Sequence, residues 1–129
     1  MIQVKRAYEA PSSKDGVRFL VDRLWPRGVT KESLRIEAWL KDASPSNELR
    51  KRFHGNPDQW KEFCRLYFAE LKKNPAAWSP IVAAAGEGTV TLVYGARDKD
   101  HNNAVALRDF ILGENHNTEK KQPNEPRQT

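Results

Sequence analysis

The chain has 129 residues but only one cysteine, Cys64, which excludes an internal disulfide. A single cysteine favours a reducing compartment, because small proteins of oxidising compartments are commonly stabilised by several disulfides. No stretch approaches the roughly 18 apolar residues of a membrane-spanning helix. The first six residues contain no long apolar run of the kind found in signal peptides. We therefore expect a soluble, cytoplasmic protein that does not engage a membrane.

Signatures of cofactor and metal chemistry are also missing. The chain contains no glycine-rich phosphate loop and no dinucleotide-binding fingerprint. His54, His101 and His116 share no metal-ligand spacing, and Cys64 has no partner cysteine, so we expect neither a metal nor a cofactor. Cys64 also lies on the apolar stripe of a predicted helix, where a cysteine is usually an inert small hydrophobe rather than a nucleophile.

The charge is unevenly distributed along the chain. Its formal net value is +5, yet residues 113–129 carry three basic and three acidic residues, so the whole excess lies before them. From Glu114 onward there is no apolar residue, and such a segment cannot bury enough surface to offset its ordering entropy. The composition predicts one domain over residues 1–112 and a disordered polar tail over 113–129. The basic excess favours an anionic partner, although a solvated basic surface is the alternative.

Three segments have the pattern of β-strands. Residues 2–8 alternate apolar and polar side chains, residues 17–22 form a nearly continuous apolar run, and residues 89–94 are rich in β-branched residues. The link between the first two is short for a parallel crossover, so these strands are antiparallel or not neighbours. Helices between the last two predict a right-handed parallel crossover. The expected fold is α/β, with a small, mainly parallel sheet of three or four strands flanked by helices.

Capping residues and prolines mark the expected helix starts. The helices expected in chain order are one capped by Thr30 over residues 33–40, one beginning at Ser44-Pro45, one after Asn56-Pro57 through residue 71, one from Asn74-Pro75 to residue 85, and one capped by Asn102 or Asn103 that ends at Gly113.

Polar side chains follow the second and third strands where each strand ends. Ligands of open parallel sheets bind beyond the carboxyl ends of the strands, so we expect these side chains to lie together. Trp25-Pro26-Arg27-Gly28 stops the second strand in a turn, and Gly95 leads the third into a polar loop. The candidate site residues are Asp22, Arg23, Trp25, Arg27, Tyr94, Arg97, Asp98 and His101.

These residue types suggest the binding of an anion. The planar guanidinium groups of arginine can form paired hydrogen bonds with a phosphate or a carboxylate. The amino-terminal end of the last helix adds free backbone N–H groups and the positive end of the helix dipole. If the site is catalytic, Asp22 or Asp98 is the candidate acid/base, and the arginines are electrostatic clamps. The alternative is that Asp22 pairs with Arg97, or Asp98 with Arg23, as structural ion pairs.

The sequence leaves open the roles of two aromatic residues at this site. Trp25 could stack on a planar group of a ligand, or it could wedge the turn onto the core. Tyr94 is better suited to hydrogen bonding than to acid–base catalysis, because its ordinary pKa lies near 10.

Several separated motifs follow one another along the chain: Val21-Asp22-Arg23-Leu24-Trp25-Pro26-Arg27-Gly28, Trp39-Leu40-Lys41-Asp42, Pro45-Ser46-Asn47-Glu48-Leu49-Arg50, Phe53-His54, and Leu92-Val93-Tyr94-Gly95-Ala96-Arg97-Asp98 followed by His101-Asn102. Together these motifs resemble those of the YeaO-like bacterial proteins, which form the domain-of-unknown-function family numbered 488. The resemblance covers about residues 2–112 and implies a small cytoplasmic bacterial α/β protein, without implying an activity. Longer relatives carry a cysteine-containing motif where this chain has Tyr94-Gly95-Ala96-Arg97-Asp98, and a Cys-His-Arg-like element near His101. This chain has no cysteine at either place.

The first functional hypothesis is a pocket at the strand ends for an anionic small molecule that is phosphate- or nucleotide-like, with acid–base chemistry left open. The alternative is a non-enzymatic module that binds nucleic acid or protein through its basic surface. In a third interpretation, the same residues have only a structural role and bind no ligand. The sequence does not indicate the oligomeric state.

Overall fold

The structure is a computed structural model that describes residues 1–53 and 56–120. Within these residues, four strands form one parallel sheet in the order β1-β4-β2-β3. The α/β prediction is therefore confirmed, and β4 lies between β1 and β2, which are not neighbours. The strands are β1 (Ile2–Arg6), β2 (Val17–Leu20), β3 (Ala38–Trp39) and β4 (Val90–Tyr94).

Five α-helices flank the sheet in the described part of the chain, and short 3-10 turns precede several of them. The long amphipathic helix predicted around residues 60–71 is present as α3. The prolines of two predicted helix starts, Pro57 and Pro75, open 3-10 turns rather than α-helices. The helices are α1 (Lys31–Leu34), α2 (Asn47–Phe53), α3 (Trp60–Lys72), α4 (Ser79–Ala85) and α5 (Asn103–Lys120).

The helix predicted over residues 33–40 is wrong beyond Leu34. Thr30 caps α1 as expected, but Arg35 takes a left-handed conformation (φ 51°) that ends the helix. The following residues form β3 beside β2, with Leu40 N donating to Leu20 O at 2.8 Å. The apolar residues of this segment have a spacing that also fits one face of a helix. A strand of two residues is too short to show the alternation of apolar and polar side chains that identifies longer strands.

Two further helix boundaries differ from the prediction. Ser46, rather than Ser44, caps α2, since its Oγ accepts from Leu49 N at 3.1 Å, whereas Ser44 Oγ donates to Lys41 O. Helix α5 continues past Gly113 to Lys120, because a lone glycine costs a helix only about 1 kcal/mol. Residues 121–129 of the predicted tail lie outside the described residues.

The two faces of the sheet carry cores of unequal size. The larger core packs α2, α3, α4 and α5 against one face, where it includes Phe19, Leu92 and Tyr94. The smaller core on the other face joins Leu20, Val93 and Leu34, with Trp25 and Trp39 packed at its edge. Successive residues of β2 and β4 alternate between these cores, as expected for strands covered on both faces.

A buried ionic cluster lies near the amino-terminal end of β2, away from the strand ends where the candidate site was predicted. Arg18, in the apolar run of β2, places its Nη1 2.7 Å from Asp15 Oδ2, and Lys5 approaches Asp15 from β1 at 3.2 Å. Asp15 and Arg18 are each 4% exposed. The cluster explains why a charged residue interrupts this run.

No helix in the described part of the chain is long and apolar enough to cross a membrane.

Candidate functional site

The carboxyl ends of β2 and β4 are joined by one side chain. Asp22, two residues past β2, accepts a 2.8 Å hydrogen bond at Oδ2 from the backbone N–H of Gly95, the first residue after β4. A Cβ atom at Gly95 would lie 3.3 Å from that oxygen, so glycine permits the close approach. The two polar stretches that follow these strands therefore lie side by side.

The start of α5 is tied to both strand ends by adjacent asparagines. Asn103 Nδ2 donates to Val21 O at 2.8 Å, and the Asn103 side chain lowers the pKa of the neighbouring Asp22. Asn102 caps the helix by accepting from Val105 N at 2.9 Å and donates from Nδ2 to Asp98 O at 2.9 Å. The amino-terminal end of this long helix is thereby fixed beside the strand ends.

The two candidate acid–base residues have opposite electrostatic environments. Burial raises the pKa of Asp22, although hydrogen bonds from Gly95 and Asn103 and the nearby Arg50 guanidinium act against this. The backbone N–H groups of Asp100 and His101 lower the pKa of Asp98, as does the His101 ring, whose Nδ1 lies 3.2 Å from Asp98 Oδ2. Asp98 is exposed and remains ionised, whereas Asp22 is the carboxyl that more readily holds a proton.

A cleft of about 510 Å³ opens at these strand ends. Its walls come from the end of β2, the segment before α2, α2 itself, the start of α3, the loop after β4 and the start of α5. The lining residues are Asp22, Arg23, Leu24, Ser44, Pro45, Arg50, Phe53, Asn56, Trp60, Phe63, Ala96, Arg97, Asp98, His101, Asn102 and Asn103.

The cleft brings together five of the eight residues predicted from the sequence. These are Asp22, Arg23, Arg97, Asp98 and His101. The remaining three, Trp25, Arg27 and Tyr94, are not among its lining residues.

Each of those three residues lies elsewhere for a definite reason. Tyr94 is 2% exposed in the larger core, because strand alternation puts its side chain on the same face as Leu92. Trp25 meets Trp39 edge-on at 5.3 Å and donates from Nε1 to Val29 O at 2.6 Å. These contacts correspond to the alternative in which Trp25 packs the turn onto the core. Arg27 is exposed on the turn.

The three cleft arginines differ in how they are held. Arg23 donates from Nε and Nη2 to Pro45 O at 3.4 and 3.3 Å. Arg50, in the last turn of α2, and Arg97, in the loop after β4, are both exposed. Within residues 1–53 and 56–120, neither of these two guanidiniums forms an ion pair, and the predicted pairs of Asp22 with Arg97 and of Asp98 with Arg23 are not formed.

Aromatic side chains form one wall of the cleft, which sequence reasoning missed. Phe63 packs edge-on against Phe53 at 6.0 Å and stacks on Trp60 at 5.5 Å, and Trp60 in turn meets His101 at 5.1 Å. We call these four residues the aromatic wall. Trp60 and Phe63 lie on the amphipathic stripe of α3, a pattern that by itself predicts core residues. The sequence feature that could have placed these two residues in the cleft is their position in the first turn of α3, because apolar residues at the end of a helix can extend beyond the core that the rest of the helix contacts.

The arrangement contains no activated nucleophile in the described residues. Cys64 is half-buried outside the cleft lining, and burial raises the pKa of its thiol to about 11. No group of three or more His, Cys, Asp or Glu side chains among the residues described is placed to hold a metal ion. The cleft therefore combines guanidinium groups, two carboxyls, an imidazole, amide side chains and aromatic rings.

Comparison with known proteins identifies the family. The family model DUF488-N3i, described as the inactive DUF488-N3 subclade, matches residues 1–128. The chain belongs to this family. The resemblance to the YeaO-like proteins that the sequence motifs suggested is thereby confirmed.

Relatives of the family are similar over nearly their whole length. The uncharacterized protein YeaO of Escherichia coli (strain K12) is 40% identical over 110 residues, which are 85% of this chain and 96% of YeaO. The uncharacterized protein Rv3073c of Mycobacterium tuberculosis (strain ATCC 25618 / H37Rv) is 37% identical over 112 residues, 87% of this chain and 94% of that protein. Comparison with solved structures gave no significant match.

Proposed function

We propose that the chain is a non-catalytic binding protein whose cleft takes an anionic, phosphate- or nucleotide-like small ligand. The observation that carries the proposal is the presence of Arg50 and Arg97 in one cleft, without an ion-pair partner among the described residues. Unpaired guanidiniums that line a concave site are well suited to bidentate contacts with phosphate or carboxylate oxygens.

The surroundings of the two arginines favour an anion further. The fixed amino-terminal end of α5 adds a positive partial charge, and Asn102 and Asn103 line the cleft beside it. A volume of about 510 Å³ lies within the usual range of small-ligand sites.

Three observations favour binding over catalysis. Cys64 has a thiol pKa of about 11 and lies outside the cleft lining. Asp22 uses its carboxylate to hold the backbone of Gly95, and Asp98 is engaged by backbone amides and His101. The family's description calls this subclade inactive. A cytoplasmic location is part of the same proposal, because a chain with a single cysteine fits a reducing compartment.

A second candidate function is the binding of nucleic acid. The last turn of α2 presents Arg50, Lys51 and Arg52 to solvent next to the cleft, and the chain has a net charge of +5. Contacts of this kind with a phosphate backbone weaken steeply as salt rises, whereas a small-ligand cleft should lose much less affinity. A protein partner at the same basic surface is the remaining alternative.

Thermal unfolding with added anions tests the proposal. Inorganic phosphate, ribose 5-phosphate and adenosine 5′-monophosphate should raise the midpoint of the parent protein, and Arg50→Gln and Arg97→Gln should each lose most of that rise. Arg27→Gln is the matched control, because it removes the same charge from an exposed site outside the cleft lining and should keep the rise. An equal response in all four proteins would contradict the proposal.

A further inference from the structure

Trp60 differs from the other three tryptophans of the chain. The indole N–H groups of Trp25, Trp39 and Trp78 each donate to a backbone carbonyl oxygen, at 2.6, 2.7 and 2.8 Å. Trp60 Nε1 has no such partner in the described part of the chain, and Trp60 alone among the four lines the cleft. Three indoles are therefore fixed to the fold by a hydrogen bond, whereas the Trp60 N–H donates to none of the described residues.

The surroundings of Trp60 make the aromatic wall continuous from the core to the mouth of the cleft. Trp60 and Phe63 stack with ring planes 20° apart, and Phe63 packs in turn on the fully buried Tyr67. The wall is thus rigid at its inner end. A half-buried indole backed by a packed ring offers a large apolar surface at a small cost in conformational entropy.

We propose that the ligand of the cleft carries a planar aromatic ring that lies against Trp60, with its anionic group held by Arg50 and Arg97. The chemical class is a nucleoside monophosphate. This inference rests on the proposed function, since it specifies what the same cleft recognises. Stacking of a base on an aromatic side chain is tolerant of base identity, so the ring is recognised mainly by its surface and less by its edge.

Binding measurements with a series of ligands separate the contribution of the aromatic ring from that of the anionic group. Calorimetric titration should give the tightest binding for adenosine 5′-monophosphate, weaker binding for ribose 5-phosphate and weakest for inorganic phosphate. Stacking contributes roughly a 5- to 150-fold difference in affinity between the first two. If both bind equally and lose binding in Arg97→Gln, the aromatic inference is wrong and the anion cleft stands. If none binds in an Arg97-dependent manner, the proposed function itself fails.

Substitution of Trp60 tests the location of the ring. Trp60→Leu should lower the affinity for adenosine 5′-monophosphate to that for ribose 5-phosphate, because the variant can no longer stack on the adenine base. The affinity for ribose 5-phosphate, which has no aromatic base, should stay within about threefold of the parent value. Equal loss for both ligands would mean that Trp60 merely shapes the cleft and would overturn the inference.

Fluorescence provides a readout that does not depend on the folding of Trp60→Leu. Addition of adenosine 5′-monophosphate should change the tryptophan emission of the parent protein and of Trp78→Phe, whose substituted residue lies outside the cleft lining. The same change should be absent from Trp60→Phe, which retains a ring at the site. A change that persists in Trp60→Phe would contradict contact between the ligand and this indole.

Discussion

The Asp22 carboxylate accepts a 2.8 Å hydrogen bond from the backbone N–H of Gly95 and so joins the ends of β2 and β4. Asn103 adds the start of α5 to the same junction by donating to Val21 O at 2.8 Å. The junction therefore joins three elements that line the cleft, and Asp22 links two of them. Asp22 is a positioning group, which explains why a charged side chain occupies the end of a buried strand.

Removal of the Asp22 carboxyl should destabilise the fold. Asp22→Ala leaves the Gly95 N–H without its acceptor in a partly buried site, and we expect the free energy of unfolding to fall by about 1–3 kcal/mol. Asp22→Asn retains an oxygen that can accept from Gly95 and should cost less. Urea denaturation measures both. An alanine variant as stable as the parent protein would mean that the junction does not depend on this contact.

The buried cluster at the other end of the sheet should make stability depend on pH. Burial alone would raise the pKa of Asp15, but hydrogen bonds from Ser12 N, Lys5 and Arg18 lower it below its ordinary value of 3.8. A lowered pKa means that the folded chain holds this proton less tightly than the unfolded chain. The stabilisation from ionised Asp15 is therefore present above pH 3.8 and lost as the pH falls through the lower folded value.

Asp15→Asn should isolate that effect. At pH 7 the variant leaves Arg18 and Lys5 without their shared carboxylate, and we expect a loss of about 3–5 kcal/mol, the usual result of removing one partner of a buried ion pair. The difference from the parent protein should shrink as the pH falls below 3.8. Denaturant unfolding at a series of pH values measures it, and a difference that stays constant with pH would contradict the ionised cluster.

Gly16 should not tolerate a side chain. It has φ of +66°, and a Cβ there would collide with the carbonyl oxygen of Thr89. Gly16→Ala should lower the free energy of unfolding by at least about 1–3 kcal/mol, since strain and the clash act together. Gly88→Ala is the matched control, because a Cβ at that glycine meets nothing within 4 Å. Similar stabilities of the two variants would argue against the described path of this turn.

Cys64 should react slowly with thiol reagents in the folded protein. Burial raises its pKa from 9.0 to about 11, so the thiolate fraction near pH 8 is roughly 100-fold smaller than that of an ordinary cysteine. The rate of labelling in buffer, compared with the rate in denaturing urea, measures this. Equal rates would reopen a nucleophilic role for Cys64.

The parts of the fold with strong local signals were predictable from the sequence. β2 and β4 are nearly continuous apolar runs, and the stripe of α3 repeats over several turns. β3 was missed because two residues carry no periodicity. The left-handed Arg35 that ends α1 gave no sequence signal, since non-glycine residues rarely adopt that conformation.

The candidate site was predictable only where it follows the strands. Asp22 and Arg97 were found because parallel strands end together at one edge of a sheet. Arg50 and Trp60 belong to helices, and their place in the cleft depends on how the crossover packs back on the sheet. Tyr94 was wrongly grouped with its chain neighbours, because alternation along β4 turns its side chain into the core. Proximity in sequence thus predicted five residues that line the cleft but not the helical residues that complete it.

The most direct test of the central claim is an amide chemical-shift titration of the isotopically labelled protein with adenosine 5′-monophosphate. The largest changes should fall on the amides of Ala96, Arg97 and Asn103, which line the cleft, while Lys14 and Gly16 at the opposite end of β2 should change little. Changes confined to Lys51 and Arg52 on the exposed turn of α2, or no saturable change with this ligand, ribose 5-phosphate or inorganic phosphate, would contradict the assignment of the cleft as an anion-binding site.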